Sequence, residues 1–178
     1  MKTKNFQKYL LPYEIGRGAE GIVYKISDKY VAKVPRICYP DSKKNLRKEF
    51  EIAKVLFENG VSVPEPEGIF KIRNLGLTSV IIPSEAFIME YIKGKTGSEF
   101  FRDYSSFRMV NPNFIESPSF AGYNEEYNHI KKLYEEEIKK AKEIGFLPFD
   151  AEFNGNYIWS AERSKLYLID FGMWEWET

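Results

Sequence analysis

Cysteine and histidine are almost missing from this chain of 178 residues: Cys38 and His129 are the only ones. One thiol cannot form an intrachain disulfide, which fits a reducing compartment. One thiol and one imidazole cannot build a zinc site, nor a Ser-His-Asp triad with a histidine to spare. Net charge is missing as well. Lys plus Arg and Asp plus Glu number 26 each, so the chain offers no broad field to nucleic acid or an anionic membrane. No stretch reaches the ~18 apolar residues of a membrane span, and residues 1–11 hold no long apolar run. Internal repeats and low-complexity linkers are absent too. The expectation is a cytoplasmic protein with neither nucleic-acid nor membrane partners.

The composition that remains is globular. Hydrophobic residues make up 43% of the chain, which argues against disorder. A chain of this length buries roughly 70% of its unfolded surface. Aromatics reach 16%, but they are scattered, which suits core filling better than a base-stacking platform.

The first third reads as strands: Tyr13 to Gly16, Gly21 to Ile26 and Tyr30 to Pro35, with Ser27-Asp28-Lys29 as a tight turn. A helix follows from Ser42 to Glu58, stopped by Asn59-Gly60. Further strands are expected at Ile69–Ile72, Thr78–Ile82 and Phe87–Tyr91. Residues 94–123 are rich in Gly, Pro, Ser, Asn and aromatics, with a short helix near Glu99. Their aromatics (Phe100, Phe101, Tyr104, Phe107, Phe114, Phe120, Tyr123) either cover a shortened lobe or bind an acceptor or partner. A second helix spans Asn124 to Ile144, with Tyr127, Ile130, Tyr134, Ile138 and Ala141 at helical spacing. On it, Glu135 and Glu136 each precede a lysine by four residues, Lys139 and Lys140. Short strands at Tyr157–Trp159 and Leu166–Ile169 close the pattern. The order predicts an α+β protein of two lobes joined near Tyr91 to Gly94.

Gly16-Arg17-Gly18-Ala19-Glu20-Gly21-Ile22-Val23 fits G-x-G-x-x-G-x-V. Glycines let a backbone approach phosphate oxygens. A dinucleotide motif would open a helix, whereas this one runs into the strand pattern Val23-Tyr24-Lys25-Ile26; an ordinary hairpin turn is the plain alternative. Lys33 lies in the next strand, where a water-facing edge lysine is the plain alternative. Glu49 is more telling. Ile52, Leu56, Ala53, Leu46, Phe57 and Phe50 form one apolar arc of the first helix, and Glu49 falls inside it while Glu51 falls outside. A carboxylate on a buried face needs a cationic partner, and Lys33 is the candidate. Near the end, Leu168-Ile169-Asp170-Phe171-Gly172 places an acidic residue after a buried strand.

Together with Phe87-Ile88-Met89-Glu90-Tyr91-Ile92-Lys93-Gly94 and Gly145-Phe146-Leu147-Pro148-Phe149-Asp150, these motifs resemble, in order, those of the eukaryotic-type protein kinase superfamily. The resemblance covers about residues 12–172. It is to a minimal or truncated form, similar in plan to bacterial effector kinases and phage-borne kinases. It implies a bilobal α+β fold: an antiparallel-sheet N-lobe with one helix (residues 1–92), and a much reduced C-lobe (93–178) holding the catalytic loop and the Asp-Phe-Gly. It implies ATP and Mg²⁺. Gly16, Gly18, Gly21 and Val23 would cover the nucleotide, and Lys33, paired with Glu49, would neutralise the α- and β-phosphates. Met89 would be the gatekeeper, with the backbone of Glu90, Tyr91 and Ile92 on adenine. Asp150 stands at the catalytic aspartate, Asp170 at the main metal ligand, and Asn156 at the second, with Asn154 as the alternative.

The pattern breaks in places. Pro148 and Phe149 replace the family's His and Arg, and Glu152 stands where many protein kinases have a lysine. The family's Asn lies five residues after its Asp; here Asn154 is at four and Asn156 at six. The late helical lobe is absent. A start at Met1 and the apolar tail Phe171 to Trp176 favour a naturally minimal kinase over a truncated one. A composition rich in Lys, Ile and Asn fits a bacterial or viral source, including an effector secreted into a host cell. The expected function is transfer of the γ-phosphate to a protein Ser, Thr or Tyr hydroxyl. The alternatives are a pseudokinase-type nucleotide-binding regulatory module, and a small-molecule kinase or AMP transferase on the same scaffold.

Overall fold

The computed structural model describes residues 13–18, 21–36, 42–72, 84–102, 118–149 and 155–177. The chain divides into two compact units, Met1–Phe57 with Pro64–Tyr91, and Glu58–Val63 with Ile92–Thr178.

Among the described residues the first unit is an antiparallel sheet with one helix. Its strands are β1 (Tyr13–Arg17), β2 (Gly21–Lys25), β3 (Tyr30–Pro35), β4 (Pro66–Ile72) and β5 (Ser84–Glu90), and α1 spans Ser42–Glu58. They pair in the order β1-β2-β3-β5-β4. The β2–β3 turn is fixed by Ser27, whose Oγ accepts the amides of Lys29 at 3.2 Å and Tyr30 at 3.1 Å, a side chain standing in for backbone in a turn. Alternation then sorts the residues. Tyr24, Ala32, Val34, Ala86 and Ile88 form a buried cluster with Ile22, Ile26, Tyr30 and Phe70 packed on it. On the opposite face Lys33 is directly across from Phe87, as period two requires.

Helix α1 lies on that second face. Phe50 meets Phe87 edge-on at 5.6 Å, and Arg47 bonds Glu85 at 2.7 and 3.2 Å. Its arc buries Leu46, Glu49, Ile52, Ala53 and Leu56, whereas Phe57, placed in the arc from sequence, is 42% exposed. Phe57 is the last residue of the first of the two segments that make up the first unit. Strand β4 starts earlier than its apolar run, at Pro66, with a register shift between Pro66 and Gly68; a proline is tolerated at the first position of a strand. The strand expected at Thr78–Ile82 lies outside the described residues.

The second unit contains β6 (Lys95–Thr96), a helical segment over 97–102 (α2), α3 (Pro118–Glu143), β7 (Phe146–Leu147), β8 (Tyr157–Ser160), β9 (Lys165–Leu168) and β10 (Glu175–Trp176). The strands form a β6-β8-β9 sheet and a β7-β10 pair. Thr96 and Glu99 make a reciprocal cap: Glu99 accepts the Thr96 amide at 2.9 Å, and Thr96 Oγ1 accepts the Glu99 amide at 3.3 Å, which satisfies amides a helix start leaves open. Gly94 packs so closely on β8 that a Cβ there would stand 2.2 Å from the Trp159 carbonyl oxygen. Helix α3 buries Ile130, Tyr134, Glu137 and Ala141. It meets β8 through Tyr134 on Tyr157, ring centroids 5.7 Å apart, and through Glu126, which accepts the Trp159 indole N–H at 3.1 Å. It ends at Gly145, whose φ of +94° is the left-handed region glycine occupies without strain.

Two details differ from the sequence reading. Helix α3 starts at Pro118, six residues before Asn124; proline is at home in a first helical turn, where its missing N–H costs nothing. Its ion pairs also differ: Lys140 bonds Glu137 at 2.6 Å, and Lys139 reaches Glu143 at 3.8 Å, in place of Glu136 and Glu135. Of the seven aromatics in 94–123, Phe100 is buried and Phe101 is 38% exposed; the side chains of the other five lie outside the described residues. No helix among the described residues is long and apolar enough to cross a membrane.

Candidate functional site

In the first unit the sheet register assembles the sequence-predicted residues. Val23 is directly opposite Lys33. The Lys33 ammonium lies 2.8 Å from Glu49 Oε1 and 2.7 Å from Oε2, with the two side chains 11% and 4% exposed. Thus the carboxylate that the helical arc buries meets the lysine that the strand points toward it. A buried pair of this kind holds only if both charges stay paired.

The glycine-rich segment joins β1 to β2 as a strand connection. The Gly18 amide donates to the Gly21 carbonyl at 2.9 Å, and the Arg36 guanidinium reaches the Gly18 carbonyl at 3.3 Å. Gly21 is tightly packed, since a Cβ there would crowd Lys33 and the Val34 carbonyl at 3.2–3.3 Å. At Gly16 and Gly18 a Cβ would meet nothing among the described residues closer than 3.9 and 3.8 Å. Those two positions leave space above the backbone, which fits close approach of a phosphate. Between them Arg17 grips Glu14 at 2.9 and 2.7 Å. The Arg17 hydrogen bonds hold the Glu14 carboxyl below its ordinary range.

At the end of β5, Met89 is half-buried and pairs with Val31 on one side and Pro66 on the other. The Glu90 amide donates to the Glu65 carbonyl at 2.9 Å and the Tyr91 amide to the Lys29 carbonyl at 2.8 Å. Both donors are therefore committed inside the protein. The amide and carbonyl of Ile92 bond no other described backbone group.

In the second unit the β8–β9 ladder pairs Tyr157 with Leu168. It runs one residue further, the Ile169 amide donating to the Asn156 carbonyl at 3.0 Å. This brings Asn156 beside the residue before Asp170. Asp170 is exposed and has φ +63°. A non-glycine residue in the left-handed region is uncommon, and aspartate is one of the few that tolerates it; such strain persists where its surroundings impose it. The next residue, Phe171, is anchored. It is 3% exposed and packs edge-on against Trp174 at 5.0 Å. Asp150 and Asn154 lie outside the described residues.

One buried carboxylate escaped the sequence reading. Glu137 falls in the middle of the Ile130, Tyr134, Ala141 stripe of α3 and is 8% exposed. The arc rule that singles out Glu49 finds it equally well.

No family model and no curated protein matches this sequence. Solved structures do. A crystal structure of a Stt7 homolog from Micromonas algae, soaked with ATP, is similar with a TM-score of 0.69 at 14% identity, over 98% of this chain and 52% of that one. The BubR1 kinase domain is similar with a TM-score of 0.58 at 17% identity, over 92% of this chain and 46% of that one. The fold is protein-kinase-like, an α+β arrangement with the five-stranded antiparallel sheet and single helix of a kinase N-lobe. The chain spans about half the length of the solved chains it matches.

Proposed function

We propose that the chain is an ATP-dependent phosphotransferase that moves the γ-phosphate of ATP to a hydroxyl of a protein substrate. The observation that carries this reading is the buried Lys33–Glu49 pair. A lysine held by a helix carboxylate is oriented to present its charge to phosphate oxygens, and phosphoryl transfer asks a protein mainly for positioning and charge neutralisation. The open backbone at Gly16 and Gly18 would cover the phosphates. The amide and carbonyl of Ile92, which bond no other described backbone group, would take the adenine edge. Mg²⁺ would be held by Asp170 and Asn156, and would neutralise charge on the phosphate oxygens. Asp150 would orient the acceptor hydroxyl and accept its proton.

The test is transfer of label from γ-labelled ATP, with Mg²⁺, to the chain itself, to generic protein acceptors and to a cell lysate. Transfer that disappears in Lys33→Met and Asp170→Ala supports the reading. No transfer to any acceptor, or an unchanged rate in Asp170→Ala, ends it.

A second reading, a nucleotide-binding regulatory module, is favoured by one feature. Pro148 and Phe149 stand where the family has His and Arg, and Phe149 is 67% exposed. It predicts thermal stabilisation by ATP with no product formed; detection of product excludes it.

A further inference from the structure

The phosphotransfer reading leaves Glu137 without a role, yet this carboxylate is buried and doubly bonded. Its Oε2 accepts the Ser62 amide at 2.7 Å, 75 residues away in sequence, and its Oε1 accepts the Lys140 ammonium at 2.6 Å. Ser62 belongs to the segment Glu58–Val63, which begins at the last residue of α1 and groups with the second unit. Val61, Ser62 and Val63 are 2, 8 and 3% exposed. The Ser62 carbonyl in turn accepts the Leu168 amide at 2.8 Å. Leu168 is the last residue of β9, two before Asp170. A continuous chain of hydrogen bonds therefore runs Lys140–Glu137–Ser62–Leu168.

Bonds to an ionised acceptor are shorter and stronger than neutral ones. A hydrogen bond at one end of a connected set also polarises the next. Without Glu137, the buried Ser62 amide would lose its acceptor, which is more costly than the bond itself is stabilising. The segment would be freed to shift, and with it the carbonyl that fixes Leu168.

We propose that Glu137 is a positioning residue for Asp170: by gripping Ser62 it holds the end of β9 and so the left-handed backbone from which the Asp170 carboxylate projects. This rests on Asp170 being the metal ligand of the proposed function.

The experiment uses the full chain and three variants. Glu137→Leu removes the acceptor, Glu137→Gln keeps an oxygen for the Ser62 amide, and Glu137→Asp shortens the reach by one methylene. Amide hydrogen exchange is followed residue by residue by NMR. The Leu variant is expected to speed exchange at Ser62 and Leu168 at least tenfold and leave the β2–β3 amides unchanged. The Gln variant should return both sites to within threefold of the parent. The Mg²⁺ concentration that half-saturates the Asp170 amide shift, read with a non-hydrolysable ATP analogue, should rise at least fivefold in the Leu variant and recover in the Gln variant. Should Glu137→Leu fail to fold, Glu137→Asp must give the same localised pattern at no less than threefold. Uniform acceleration of all amides, unchanged exchange at Leu168, or no recovery with Gln overturns the proposal. An Asp170 amide that ignores Mg²⁺ while transfer proceeds also overturns it and leaves the proposed function standing. Absence of transfer, with the exchange and Mg²⁺ results as expected, does the reverse.

Discussion

Gly21 is a spacer for Lys33: a side-chain carbon on it would stand 3.2 Å from the lysine Cε and 3.3 Å from its Cγ. The lysine stem lies flat across the glycine because β2 and β3 are in register at this end of the sheet. An alanine there must push the stem aside or move the Val34 carbonyl. Gly21→Ala is expected to cost about 1–3 kcal/mol in denaturant unfolding and to weaken ATP binding in calorimetry.

Gly16→Ala and Gly18→Ala separate folding from binding. Their added carbons meet no close neighbour among the described residues, and neither glycine has a positive φ. Alanine should raise stability by roughly 0.4–1 kcal/mol through the unfolded chain. Affinity for ATP should fall nonetheless, because the space filled is the space a phosphate needs. A melting temperature that rises with unchanged ATP affinity would rule out a phosphate cradle at these positions.

Lys33→Met strands Glu49 in the interior. Breaking a buried pair from one side costs about 3–5 kcal/mol, whereas replacing both members with apolar residues is often neutral. Lys33→Met with Glu49→Leu is therefore expected to recover most of the lost stability in urea melts. Phosphotransfer should stay absent in the double variant, so stability and activity come apart.

Asp170→Asn should unfold at a higher denaturant concentration than Asp170→Ala, since asparagine also tolerates the left-handed region. Asp170→Ala should lose roughly 1–2 kcal/mol through the backbone alone. Both should abolish Mg²⁺-dependent transfer. Activity retained by the Asn variant would show that the carboxylate charge is not needed.

Tyr24 gives an alkaline signature. Its ring is 2% exposed and its hydroxyl has no hydrogen-bond partner among the described residues. Burial raises the phenol's pKa, with the Glu14 carboxylate adding to the rise and Arg17 opposing it. The folded protein thus keeps this proton where the unfolded chain has lost it. The stability this contributes is complete below the unfolded pKa of about 10 and falls as pH rises toward the folded value. Tyr24→Phe should flatten that loss in unfolding curves between about pH 9 and 11, and should cost nothing at neutral pH, because it removes an unsatisfied polar group.

The legible parts of this chain are those where period and chemistry coincide. Helix α1 is read to its ends, Ser42 and Glu58, because a 17-residue amphipathic repeat bounded by Asn-Gly has few other readings. Glu49 is legible because a charge inside an apolar arc demands a partner. Glu137 obeys the same rule, but Glu135 and Glu136 beside it drew the pairing toward exposed lysines. Strands β6, β7 and β10 have two residues each, too few to show any period; their pairing is set by Gly94 against Trp159 and by Phe146 stacked on Trp176 at 4.1 Å. The start of α3, Pro118 to Tyr123, is not legible because it lies in a stretch rich in Gly, Pro, Ser and Asn, which are poor helix formers. The roles of Asp150 and Asn154 rest on resemblance alone, both lying outside the described residues.

The chain passes from one unit to the other three times, at 57/58, 63/64 and 91/92. Severing the peptide bond after Tyr91 therefore cannot liberate two self-sufficient modules. The upstream fragment would carry off Val61 and Val63 with nowhere to bury them, and the downstream fragment would keep a Glu137 carboxylate and a Leu168 amide facing an empty slot. Each piece alone invites aggregation, and mixing them should restore a folded pair only if the excised strap finds its seat again. A gene encoding this protein is thus hard to split or shuffle at its most obvious seam.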